Sequence, residues 1–177
     1  AKLAARESLK PLVITIWPHP RLIRGEKLHL LSSLEERLEL LKGIGFDEVL
    51  VLDAGEDLLK MHAKHFLSTN MIKEYGIAGL VSGFNNYLGA DHRHPDQLGK
   101  LANELGLMHY TLTAFPERAV SSSLIRETIA AGNMAEAHSL LGYTYIIDGS
   151  VVGGNQIGRE MGFPTANIAV ADLLKQI

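Results

Sequence analysis

The sequence contains no cysteine. Disulfide frameworks, thiolate zinc sites, iron–sulfur clusters and cysteine nucleophiles are therefore excluded. Aromatic residues make up 6% of the chain, and no stretch approaches the roughly 20 apolar residues that a membrane-spanning helix needs. No signal peptide is visible. Nor is there an excess of positive charge. Lys and Arg number 17 against 20 Asp and Glu, for a net charge of −3, which argues against a broad nucleic-acid-binding surface. What remains is ordinary globular composition, with 46% hydrophobic and 21% charged residues in 177. That length suits one domain or slightly more. A cytoplasmic protein acting on small molecules, with neither nucleic acid nor membrane as partner, is expected. Nothing in the sequence sets its oligomeric state.

Strands and helices alternate through the first two-thirds of the chain. PLVITIW (11–17) is β-branched and bounded by prolines, a buried-strand pattern. Ser33 and Glu36 have capping-box spacing ahead of a helix carrying Leu34, Leu38 and Leu41 on one face. FDEVLVLD (46–53), IAGLVSG (77–83) and LMHYTLT (107–113) read as further strands. Helical periodicity covers 56–75, and Pro95 opens a helix to about Leu105. Such alternation predicts a doubly wound parallel α/β sheet, which binds ligands at the C-terminal ends of its strands. After two short helices (122–132 and 134–142) the pattern turns to strands and glycines, predicting a second, β-type domain from residue 143.

Four segments carry candidate chemistry. In Trp17-Pro18-His19-Pro20-Arg21, at a strand's end, two prolines hold His19 and Arg21 in a rigid turn. The histidine can donate to a phosphate or carbonyl, and the arginine can pair with phosphate. The loop Gly83–Gly89 offers Asn85 to a base or ribose. His92, His94 and His109 lack a metal-ligand spacing. In Ser121-Ser122-Ser123-Leu124-Ile125-Arg126, hydroxyls, helix N–H groups and a guanidinium one turn on can converge on an anion, although the same serines read as an ordinary N-cap. Glycines 154, 158 and 162 suit a loop around phosphates, or turns between hairpin strands. Thr165 and Asn167, two apart on an expected strand, share a face and present hard oxygens suited to Mg²⁺ beside a nucleotide phosphate.

Taken in order, these segments resemble the bacterial bifunctional riboflavin kinase/FMN adenylyltransferase family, the FAD synthetases. ITIWPHPR (14–21) is similar to the family's T-F-D-P-H-P-R segment. LSSLEERLELLKGIGFDEVLVL (31–52) resembles its next helix–strand unit, and 120–152 its I-S-S-T-x-I-R helix with the passage into the kinase. GNQIGREMGFPTANI (154–168) resembles the start of the kinase, with its P-T-A-N element. Where the family has G-x-D-F-R-F-G, this chain has Asn85 for the acid and Tyr87 for the arginine.

The resemblance implies a nucleotidylyltransferase domain over 1–142 and the beginning of a riboflavin kinase β-barrel over 143–177. It implies ATP, riboflavin, FMN and FAD as substrates or products, with Mg²⁺. Ser122, Ser123 and Arg126 would hold ATP phosphates. His19 and Arg21 would face the flavin or a phosphate, with Asn85 as a base or flavin contact. Thr165 and Asn167 would hold Mg²⁺ in the kinase, under a covering loop that includes Gly158. The family's two-histidine nucleotide signature is expected before Ala1, and the kinase's glutamate base after Ile177. A catalytically degenerate flavin- or nucleotide-binding paralogue, or a nucleotidylyltransferase for another acceptor, stays open as an alternative.

Overall fold

The computed structural model describes residues 2–113, 120–155, 157–163, 165–170 and 175–176. In chain order the elements are α1 (Lys2–Arg6), β1 (Val13–Trp17), α2 (Pro20–Ile23), α3 (Leu34–Gly43), β2 (Val49–Asp53), α4 (Glu56–Lys60) and α5 (Ala63–His65). A π-helical stretch (Phe66–Glu74) continues α5. Then come β3 (Gly79–Gly83), α6 (Pro95–Glu104), β4 (Met108–Leu112), α7 (Ser122–Ala130), α8 (Met134–Leu141), β5 (Gly149–Val152), α9 (Ile157–Glu160) and β6 (Asn167–Val170).

The result is a mixed α/β structure with small parallel sheets. β1 pairs with β2. The Val13 N–H donates to the Glu48 carbonyl and the Ala54 N–H to the Trp17 carbonyl, so the two chains advance in the same direction. β3 and β4 are parallel, in register from Gly79 opposite Met108 to Gly83 opposite Leu112. β5 and β6 form an antiparallel pair. Among the described residues each ladder holds two strands.

Local chemistry starts the helices as the sequence predicts. Ser33 Oγ accepts the Glu36 N–H at 3.1 Å while Glu36 Oε2 accepts the Ser33 N–H at 2.9 Å, a complete capping box. His94 caps α6, with Gln97 Oε1 accepting its N–H and Pro95 at the first turn.

Two expectations shift. The helix expected over 56–75 breaks after Lys60, where Met61 is extended. The Met61 carbonyl accepts the Ala90 N–H, and the Asp91 carboxylate accepts the Ala63 N–H at 2.8 Å, so a distant loop supplies partners that interrupt the helix. The strand-rich stretch expected from 143 begins as a strand only at Gly149. Residues before it serve packing instead: Tyr145 lies against the buried cluster of α7 and α8, and its hydroxyl donates to the Gln176 carbonyl at 2.7 Å.

The chain divides into two compact units. The first comprises Ala1–Thr15, Gly25–Leu52 and Val120–Ile177, and the second Ile16–Arg24 and Asp53–Ala119. In the first, Ile125, Ile129, Ala137 and Leu140 form a buried cluster flanked by Leu31, Leu124, Leu141 and Tyr145. In the second, α6 packs across β4 and β3 and buries Leu98, Leu101 and Ala102, while the π-helical stretch buries Phe66, Leu67 and Met71.

Candidate functional site

Three serines compete to start α7, and backbone geometry selects the first. Ser121 is extended, and its Oγ accepts the Leu124 N–H at 3.2 Å. Ser122 and Ser123 are thereby the first two helical residues, with exposed side chains where the leading N–H groups have no intrahelical acceptor. Arg126 follows one turn later, and its Nε donates to the His29 carbonyl at 2.5 Å. Ser122, Ser123 and Arg126 are thus brought together on the first turns of one helix, whose inner face (Ile125, Thr128 and Ile129) is buried. The positive end of the helix dipole, two hydroxyls and a cation make this an anion-favouring surface.

In the same unit, Thr165 and Asn167 line a cleft of about 310 Å³ together with Val152, Gly154 and Arg159. β6 begins at Asn167, so Thr165 stands just ahead of the strand, yet both side chains border the one cleft. Two glycines shape it. A Cβ at Gly154 would collide with the Asn167 amide, and one at Gly158 would collide with the Phe163 carbonyl and come within 3.1 Å of Thr165 Oγ1. The Thr165 hydroxyl and Asn167 amide are neutral hard oxygens, and Arg159 is the cation beside them. Such a set fits Mg²⁺ that arrives with phosphate oxygens, as Mg²⁺ bound to nucleotides usually does. Pro164 of the same motif lies outside the described residues.

His19, Arg21 and Asn85 belong to the second unit. His19 is the N-cap of α2, its Nδ1 accepting the Arg21 N–H at 3.2 Å. With Nδ1 as acceptor, the neutral ring carries its hydrogen on Nε2, which is the form that donates to a phosphate or carbonyl. Asn85 is exposed on the loop after β3. The far side of that loop is pinned: Leu88 and Arg93 form an antiparallel bridge, and Asp91 accepts from both the Ala63 N–H and Arg93 Nε. The Ala63 N–H first, then Arg93, holds the Asp91 carboxyl below its ordinary range. Tyr87 meets His94 edge-on with ring centres 5.6 Å apart.

Sequence reasoning missed several groups. Asp91 is one. Another is the pair formed by Ser82 Oγ and His109 Nε2, 3.0 Å apart between β3 and β4. Burial pushes the His109 pKa down, and Gly99 on α6 leaves room for its ring. A third is the buried ion pair of Glu36 and Lys175. Asp91 and Arg93, two apart in a loop, were a weak local signal. The other two pairs join residues 27 and 139 positions apart, and no spacing announces them. Among the described residues no group of three His, Asp or Glu side chains is placed to hold a metal ion, and no helix is long and apolar enough to cross a membrane.

Comparison with known proteins finds two matching families: residues 1–128 match the one described as FAD synthetase, and residues 141–176 the one described as riboflavin kinase. The bifunctional riboflavin kinase/FMN adenylyltransferase of Escherichia coli is 33% identical over 169 residues, covering 92% of this chain and 54% of that protein. The protein of the same description from Listeria monocytogenes is 29% identical over 177 residues, covering 96% of this chain and 55% of its own length. The chain therefore spans about half the length of the curated relatives it matches. A crystal structure described as a macrolide-efflux protein from Streptococcus pneumoniae superposes with a TM-score of 0.85 at 29% identity, covering 97% of this chain and 57% of that one.

Proposed function

The chain belongs to the FAD synthetase family, and from that premise we propose that it serves FAD biosynthesis: ATP-dependent phosphorylation of riboflavin to FMN, then adenylylation of FMN to FAD. In the second reaction an FMN phosphate oxygen attacks the α-phosphorus of ATP. One P–O bond forms, the bond to the β-phosphate bridge breaks, and pyrophosphate leaves. The protein's share is to position the two phosphates and neutralise their charge. Ser122, Ser123 and Arg126 hold the ATP phosphates. His19, donating from Nε2, and Arg21 serve the flavin or phosphate side, with Asn85 as a base or flavin contact.

In the first reaction the riboflavin hydroxyl attacks the γ-phosphorus of ATP and ADP leaves. Thr165 and Asn167 would hold Mg²⁺ beside the phosphates, and Gly158 would belong to the loop that covers them. The metal supplies charge neutralisation at the phosphate oxygens. We assign adenylylation to 1–142, as a doubly wound sheet domain, and riboflavin phosphorylation to a domain that begins at 143–177, as the opening strands of a β-barrel. The family matches at 1–128 and 141–176 support that division. The cytoplasm, where ATP and flavins meet, is the compartment this reading requires.

The observation that supports the reading best is Ser122, Ser123 and Arg126 gathered at the start of α7, with Arg126 fixed on the His29 carbonyl. The test is incubation of the full-length parent, with the signature expected before Ala1 and the base expected after Ile177 in place, with riboflavin, ATP and Mg²⁺, and separately with FMN, ATP and Mg²⁺, resolving FMN and FAD by chromatography. FMN from the first mixture and FAD from the second are expected. Neither product, together with no measurable binding of ATP, would sink the reading.

A further inference from the structure

We propose that Lys175 and Gln176, which lie in the segment matched by riboflavin kinase, are positioning residues for Arg126 and so for ATP binding on α7. The inference rests on the reading of Arg126 as a phosphate ligand.

Three successive carbonyls carry the argument. His29 O accepts from Arg126 Nε, Leu30 O from the Gln176 N–H at 2.8 Å, and Leu31 O from Lys175 Nζ at 2.8 Å. Leu30 and Lys175 also form a parallel bridge. One short run, 29–31, is thus held by residues 175–176 on two carbonyls and holds the arginine on the third. The grip is buried. The Lys175 and Glu36 side chains are 3% and 8% exposed, and Nζ lies 2.5 Å from Glu36 Oε2. The ammonium also stands 4.4 Å from the centre of the Tyr145 ring, whose hydroxyl donates to the Gln176 carbonyl.

Stability alone does not account for this arrangement. A buried ion pair often adds little over well-packed apolar side chains, because desolvating both charges offsets their attraction. What it supplies is position. Lys175 satisfies one carboxylate, one carbonyl and one ring face in a single place, and Glu36 is itself fixed by its capping box. Sliding of 29–31 would break these contacts and carry the Arg126 acceptor away with it.

The test uses the full chain, with ATP and adenosine as probes in titration calorimetry. The double variant Glu36→Gln/Lys175→Met removes the Nζ–carbonyl bond without leaving a lone buried charge. It is expected to raise the ATP dissociation constant about three- to tenfold, the scale of one lost hydrogen bond, and to leave that of adenosine unchanged. Tyr145→Phe, which loosens only the Gln176 end, should raise it less and in the same direction; it decides the matter if the double variant does not fold. Arg126→Ala separates two failures. If it weakens ATP while the strap variants bind ATP as the unaltered chain does, the positioning role is wrong. If it leaves ATP binding unchanged, the phosphate-site reading is wrong and the inference falls with it. Equal weakening of ATP and adenosine by the strap variants would also overturn the proposal.

Discussion

Around α7, four apolar side chains are buried in one cluster and a backbone carbonyl holds the arginine. On the β5–β6 pair, Val151 is 74% exposed and Ile168 52%, and the neighbouring Phe163 is 77% exposed. Both regions carry candidate phosphate-binding groups, and both lie in the first unit. Their support differs in kind. The helix site is held by packing spread over several elements. The cleft is held by one two-stranded ladder and by two glycines whose missing Cβ atoms leave room for Asn167 and Thr165. A site of the first kind is damaged from a distance through its core, whereas one of the second kind is damaged by single added atoms at its rim.

The largest expected effect tests that contrast with one truncation made twice. Ile129→Ala removes a buried side chain and should cost about 2–5 kcal/mol in urea unfolding. Ile168→Ala, at an exposed site, should stay within about 0.5 kcal/mol. Equal costs would erase the contrast. Next come the functional groups. Arg126→Ala should weaken ATP in FMN adenylylation by about 1.5–3 kcal/mol, the value of a charge-assisted contact, without lowering the melting temperature much. Thr165→Ala should abolish riboflavin phosphorylation yet leave adenylylation of supplied FMN nearly intact. Steady-state assays of both reactions on both variants, made in the full-length parent, check this, and parallel loss of the two activities would show one site, not two.

Smaller again is Gly158→Ala. Its methyl meets the Phe163 carbonyl, and overpacking of this sort costs about 1–3 kcal/mol. ATP turnover with riboflavin should fall, and calorimetric ATP binding at α7 should not. The smallest effect lies in the second unit and serves as a control. Burial lowers the His109 pKa below its unfolded value of about 6.5, so the unfolded chain binds more protons as pH falls below that point. Stability present at neutral pH is therefore lost as pH drops from about 6.5 through the folded value. Melting at pH 7.5 and 5.5 should show a larger fall for the unaltered chain than for His109→Gln, with ATP binding at pH 7.5 unaffected by the substitution.

Much of the fold was legible because its signals are local. The Ser33–Glu36 box, the proline that opens α6 and the β-branched runs of β1 and β2 each depend on residues within a turn or a strand of one another. The serines ahead of Arg126 were legible as a helix start, but which serine caps was not. All three have the same chemistry, and the extended backbone of Ser121 decides. The break at Met61 was hidden for a different reason. Residues 56–75 keep helical periodicity throughout, and the groups that interrupt them come from Ala90 and Asp91.

By itself, then, the sequence determined the type and order of most helices and strands, and which hydroxyl, amide and cationic groups stand close enough along the chain to share a ligand. Those outcomes follow from sterics and hydrogen bonds that act over three or four residues. Only the tertiary structure decided that Lys175 would neutralise Glu36, that His29 would hold Arg126, and that Ser82 would meet His109. These partners lie 139, 97 and 27 positions apart, and any of several charged or polar groups would satisfy each one chemically. The choice is made when packing brings particular backbone segments together and the buried polar groups left there must be paired.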